Sequence, residues 1–131
     1  MRRILIIFSI FIFATLAFAL PTPPKTTLCA TMPTQDIGNT PLTRLDGWKV
    51  YWSRTSGQYT DAQSVSMPLT ISAAGTEVCK ELVSVIGGPL EGWYFVATDW
   101  FVNTDSTVAE SAFSNEVSAT SPGSPGGCRL L

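Results

Sequence analysis

Few residues of this 131-residue chain could carry chemistry. It has no histidine, which removes Ser–His and Cys–His nucleophile pairs together with the commonest metal ligand. The three cysteines, Cys29, Cys79 and Cys128, are spaced too widely for paired zinc ligands. Gly87-Gly88-Pro89 lacks the Lys-Ser/Thr pair and the following helix of a phosphate-binding loop. Asp99, Asp105 and Glu110 fall on or near one loop, where an acid/base pair or a calcium site can be imagined. Their spacing is sparser than that of a calcium loop, and solvated loop acids are the expectation. No catalytic residue, metal or cofactor is expected, and the chain reads as a non-enzyme.

Two other groups of side chains bear on binding. Tyr51, Tyr59 and Trp100 could form a platform for sugar rings if their faces are exposed; core packing is the alternative. The stretch "ESAFSNEVSA", residues 110–119, reads as a strand with an unusual set of polar residues. Glu110, Ser111, Ser114 and Asn115 are suited to bonding backbone groups where a loop re-enters a sheet, while Phe113 is expected to pack inward. These roles are structural.

The elements that must position these residues begin after residue 19. Arg2-Arg3, the apolar run Ile4–Leu16 and Ala17-Phe18-Ala19 have the three parts of a secretory signal peptide, with cleavage expected after Ala19. The run is short for a membrane span, so membrane contact is expected only through an uncleaved signal segment. Export to the periplasm or the exterior is the expected localisation. Without Arg2 and Arg3 the chain carries six basic against ten acidic side chains, a formal charge of −4, which disfavours nucleic acid as a partner. Residues 20–131 fit one domain.

Three cysteines allow three single bridges, each leaving one thiol over. Cys29 and Cys79 lie in expected strands and are the favoured pair. Cys128 lies in "SPGSPGGCRLL", so residues 121–131 are expected to be a flexible Pro/Gly/Ser tail with a mobile spare thiol.

"TTLCATMP" has β-formers for one strand, ended by Pro33. "TQDIGNTPLTRLDG" is rich in turn residues and reads as a loop. "WKVYWS" alternates, with Trp48, Val50 and Trp52 on the inner face. "SGQYTDAQSVSMP" gives a turn and then a polar edge strand. Residues 76–86, rich in β-branched side chains and stopped by Gly87, read as a strand. "WYFVATDWFV" should be the central strand of its sheet, although the period does not decide which of its faces is inner. Short strands spaced by turn signals predict an all-β, antiparallel, immunoglobulin-like β-sandwich of about seven strands; a small closed barrel is the alternative.

The order "DGWKVYWSRTSGQYT", "GPLEGWYFVATDW", "ESAFSNEVSA" resembles the fibronectin type III family, in particular its bacterial and phage-related members, over roughly residues 27–120. The resemblance implies a single exported domain, residues 20–120. In that family such domains mostly serve as spacers or adhesion modules, so it also implies a non-catalytic binding or structural role toward a protein or the cell envelope. Carbohydrate recognition through the aromatics is the alternative, and a protein or a polysaccharide is the expected partner. The chain departs from the family's pattern at Ala30, where members carry tryptophan, and at its short or missing first strand. Trp93 or Trp100 is expected to supply the ring.

Overall fold

A computed structural model describes residues 23–119 and 127–131. The expected signal segment, residues 1–19, lies outside the described residues. Among the described residues eight strands form two antiparallel sheets. They are β1 (Thr27–Thr31), β2 (Gly47–Ser53), β3 (Ser64–Pro68), β4 (Glu77–Glu81), β5 (Tyr94–Val102), β6 (Val108–Glu110), β7 (Val117–Ser118) and β8 (Arg129–Leu130). One sheet has the order β4-β1-β8; the other has the order β3-β2-β5-β6, with β7 also on β5. The result is a β-sandwich rather than a closed barrel.

The alternation of β2 sets the phase of the larger sheet. Trp48 and Val50 are fully buried, and register places them opposite Asp99 and Ala97 of β5 and Met67 and Val65 of β3. Phe95 and Ala97 are therefore the inner residues of β5, and both are buried. From the facing sheet come Leu28, Ala30 and Leu130, while Met32, Leu45, Leu82 and Leu90 close the core from the connections. Each large side chain removed from water in this way contributes roughly 1.5–3 kcal/mol. Trp48 is the large ring at the centre. Trp52 shares its face but is only partly buried at the margin, as is Trp93.

Cys29 and Cys79 stand directly opposite each other on β1 and β4 and are disulfide-bonded. Arg129 on β8 grips Glu77 on β4 through two bonds, Nη2 to Oε1 at 2.7 Å and Nε to Oε2 at 3.1 Å. Since β1 lies between β4 and β8, this ion pair ties the two flanking strands across it.

Several expectations are corrected. Residues 76–86 are not one strand: β4 ends at Glu81, and Val83–Ile86 form a helical turn, α1. The Glu81 carboxylate braces that turn by accepting from the Ser84 N–H at 3.3 Å and the Ser84 hydroxyl at 2.5 Å, and Gly87 ends it in a left-handed conformation (φ 84°). Short range capping here outweighs the β-branched composition. The tail is not free of the fold either. Leu130 pairs with Leu28 and Arg129 with Cys29, while Cys128, expected to be mobile, is 1% exposed. The domain thus includes residues 127–131 and not only 20–120. β8 occupies the sheet edge beside β1, where no earlier strand lies among the described residues; residues 120–126 lie outside them.

Candidate functional site

The stretch 110–119 is not a single strand. It pairs with β5 as β6 up to Glu110 and again as β7 from Val117. Between Trp100↔Glu110 and Phe95↔Val117, β5 has four residues and its partner six, so two extra residues must be accommodated. Serine side chains do this. The Ser111 N–H donates to the Asp99 carbonyl (2.9 Å), and the Asp99 N–H donates back to the Ser111 hydroxyl (3.1 Å). Ser114 and Ala97 repeat the exchange at 2.8 and 2.9 Å. In each case a hydroxyl stands where a ladder carbonyl would, and the chain bulges by one residue at each step.

Each one-residue slip turns the following side chains to the other face. Phe113 therefore lies on the outer surface, 53% exposed, instead of packing inward as expected. There it meets Tyr51 edge-on at 5.2 Å and Tyr59 at 5.5 Å. Tyr51 donates to Glu110 Oε1 at 2.5 Å, as does the Thr98 hydroxyl. Glu116 accepts from the Ser56 hydroxyl (2.5 Å), the Gly57 N–H (2.8 Å) and the Tyr59 hydroxyl. Burial alone would raise the Glu116 carboxyl, but these donors hold it below its ordinary range.

This geometry does not make a flat sugar platform. Tyr51 is 5% exposed, with Lys49 Nζ 4.8 Å above its ring, and the rings cross Phe113 at 77° and 60°. Trp100 lies apart, flat on Gly47: a Cβ there would be 2.4 Å from its ring. Its indole Nε1 is buried without a hydrogen-bond partner among the described residues. Among the loop carboxylates, Asp105 bonds the Thr107 hydroxyl and N–H, while Glu110 is taken up by Tyr51 and Thr98. The three acids thus share no common centre.

Asn115 closes the segment inward. Its Nδ2 donates to the Cys128 carbonyl (3.1 Å), and its Oδ1 accepts from the Cys128 N–H (2.9 Å). Gly127 permits the approach, since a Cβ there would be 2.0 Å from Asn115 Oδ1. Burial pushes the Cys128 thiol up despite the Ser114 hydroxyl, so it is a poor nucleophile.

The feature that sequence reasoning missed lies at the end of the sandwich. Residues 33–44, read as a loop, form a tight hairpin with a Gln35↔Pro41 bridge. The Asp36 carboxylate accepts from the N–H groups of Gly38 (2.8 Å) and Thr40 (2.9 Å), and the Asp36 N–H donates to the Thr40 carbonyl (2.9 Å). The tip presents Ile37 fully to solvent. Between hairpin and sheet runs an open groove of about 600 Å³, floored by Phe101 and Ala109 and bounded by Ile37, Leu42, Asp99 and Arg44. Arg44 is held by Asp46 (3.0 Å), whose carboxyl is kept low mainly by the Val102 N–H it accepts (2.7 Å). The only signal for this site in the sequence was an isoleucine among turn residues.

Compared with known protein families, with curated proteins and with solved structures, the chain matches none.

Proposed function

We propose that the chain is an exported, non-catalytic binding module that engages a protein partner through the end of the sandwich formed by the 33–44 hairpin and β6. The observation that carries this reading is Ile37. An aliphatic side chain is held fully in water on a tip braced by Asp36, beside a groove floored by Phe101. Covering such a side chain is worth roughly 1.5–3 kcal/mol, which a partner would recover on binding. A preorganised tip also limits the entropy lost in docking.

Export is supported by the Cys29–Cys79 disulfide, which persists in oxidising compartments. No helix among the described residues is long and apolar enough to cross a membrane. The motifs behind the fibronectin type III resemblance fall on β2, β5 and the serine-bulged stretch before β7, and they support a domain of that kind used for adhesion or spacing.

The test is site-specific photo-crosslinking in the cell envelope, with the probe at Ile37 and, as a control, at exposed Ser72. One discrete protein adduct from position 37 and none from position 72 is expected. Equal labelling at both positions would overturn the reading. So would retention on a polysaccharide resin that Tyr59→Ala or Trp100→Ala abolishes, since that outcome assigns binding to the aromatics.

A further inference from the structure

The groove is continuous with the β6 edge of the larger sheet, and that edge is less protected than those formed by β3 and β4. β4 carries Glu77, Lys80 and Glu81 along its edge, and β3 carries Pro68. Charges and proline discourage a further strand from adding. β6 has neither defence. Val108 is 60% exposed, and its one acid, Glu110, turns its carboxylate back to Tyr51 and Thr98.

The backbone of β6 has its free groups outward. The Asn103 N–H donates to the Thr107 carbonyl (2.7 Å) and the Ser111 N–H to the Asp99 carbonyl (2.9 Å), so odd-numbered residues face β5. By the alternation of an antiparallel ladder, the N–H and C=O groups of Val108 and Glu110 point away from the sheet. On the inner side of this edge, Ala109 and Phe101 form an apolar floor. Asp99 follows, paired with Ser111 through the backbone, and its carboxylate has no hydrogen-bonding or ionic partner among the described residues. Asp36 and Arg44 are already engaged, the first with backbone N–H groups and the second with Asp46.

We infer that β6 and the groove bind an extended peptide segment of the partner, which adds to the sheet as a further strand by main-chain pairing with Val108 and Glu110. Alternation in the added strand fixes its pattern. The residue opposite Ala109 faces the groove and is aliphatic, packing between Phe101 and Ile37. The residue two positions away, opposite Ser111, is Lys or Arg, and its cation meets Asp99. The recognised chemistry is thus an aliphatic–x–basic segment in extended conformation. This inference rests on the reading that the hairpin end of the sandwich is the binding end.

The test begins with selection of displayed random twelve-residue peptides against the purified protein. The expected result is enrichment of aliphatic and basic residues two positions apart. A synthetic peptide of the enriched sequence should bind at least tenfold more weakly to Ile37→Asp, Asp99→Asn and Val108→Lys, all solvent-facing or partly exposed changes whose folding is checked by unchanged thermal melts. N-methylation at every second residue should abolish binding in one phase and spare it in the other. Binding indifferent to N-methylation in both phases, or no enrichment at all, overturns the inference. So does sedimentation showing a dimer that Val108→Lys dissolves, because a second copy of the chain then occupies the edge. These results leave the Ile37 cross-linking readout independent: an adduct there together with N-methyl-insensitive peptides keeps the binding end and removes the added strand.

Discussion

Asn115 and Cys128 are joined as one amide to one peptide group, with Nδ2 donating to the Cys128 carbonyl at 3.1 Å and Oδ1 accepting from the Cys128 N–H at 2.9 Å. The side chain thereby stands in for a strand, tying the bulged run before β7 to the residue that leads into β8. Asn115→Ala leaves the Cys128 peptide group without these partners and should cost about 1–3 kcal/mol. The urea midpoint measures the loss. Labelling of Cys128 by a thiol reagent under native conditions should rise in parallel, as the thiol is 1% exposed in the intact fold.

Reduction of Cys29–Cys79, or Cys79→Ser, should lower stability by about 2–4 kcal/mol, because the bridge closes a loop between residues 50 apart. Thermal melts with and without reductant give the shift. Peptide mapping of the unreduced protein should find Cys128 as the free thiol.

Trp48 and Trp52 share a face of β2 yet differ in depth. Trp48→Ala should cost about 3–5 kcal/mol, and Trp52→Ala clearly less, since its ring is only partly buried. Comparing the two urea midpoints checks the order; equal losses would mean that the margin of the core is as closely packed as its centre.

Gly47→Ala should destabilise by about 1–3 kcal/mol through overpacking. The new methyl would meet the Trp100 ring at 2.4 Å and the Met67 carbonyl at 2.6 Å. Tryptophan fluorescence should shift with it, as Trp100 is forced off its bed.

The Tyr59–Glu116 contact makes stability depend on pH at both extremes. Burial, and then the neighbouring carboxylate, push the Tyr59 hydroxyl well above its ordinary value of 10.0. The unfolded chain therefore releases this proton first, so the contribution is complete below about pH 10 and falls as the pH rises beyond it. Glu116 is shifted the other way. Its contribution is present above its ordinary value of 4.5 and is lost as the pH falls through the lower folded value. Tyr59→Phe should flatten the alkaline limb of urea midpoints measured against pH and weaken the acid limb without removing it, because Ser56 and Gly57 remain as donors.

How far the fold was legible depended on whether one strand's period ran unbroken. "WKVYWS" disclosed its inner face because Trp48, Val50 and Trp52 alternate with polar neighbours, and the aromatic run after Trp93 marked β5 as central. Period alone could not orient β5, since both of its faces carry apolar side chains; only register with β2 does so. In "ESAFSNEVSA" Phe113 was expected to pack inward, and the one-residue bulge between Ser111 and Ser114 turns it out. Residues 127–131 were hidden by the company they keep. Composition judged them together with the prolines and glycines before them, whereas Cys128 and Leu130 pack individually. Beyond the lone isoleucine among turn residues the groove left no mark in the chain, because Ile37, Asp99, Phe101 and Ala109 come together only through the hairpin and the β5–β6 pairing.

The pairing of Leu28 with Leu130 sets an order of events during synthesis. At about 5–20 residues per second, roughly 5–20 seconds separate the emergence of the two strands. Cys79 emerges about midway through that interval. Cys128, which ends up beside the register partner of Cys29, arrives last. In an oxidising compartment the Cys29 thiol can thus be committed to Cys79 before the competing thiol reaches it. The late strand then closes over a bridge already made, and its own sulfur is sealed into the core without an available mate.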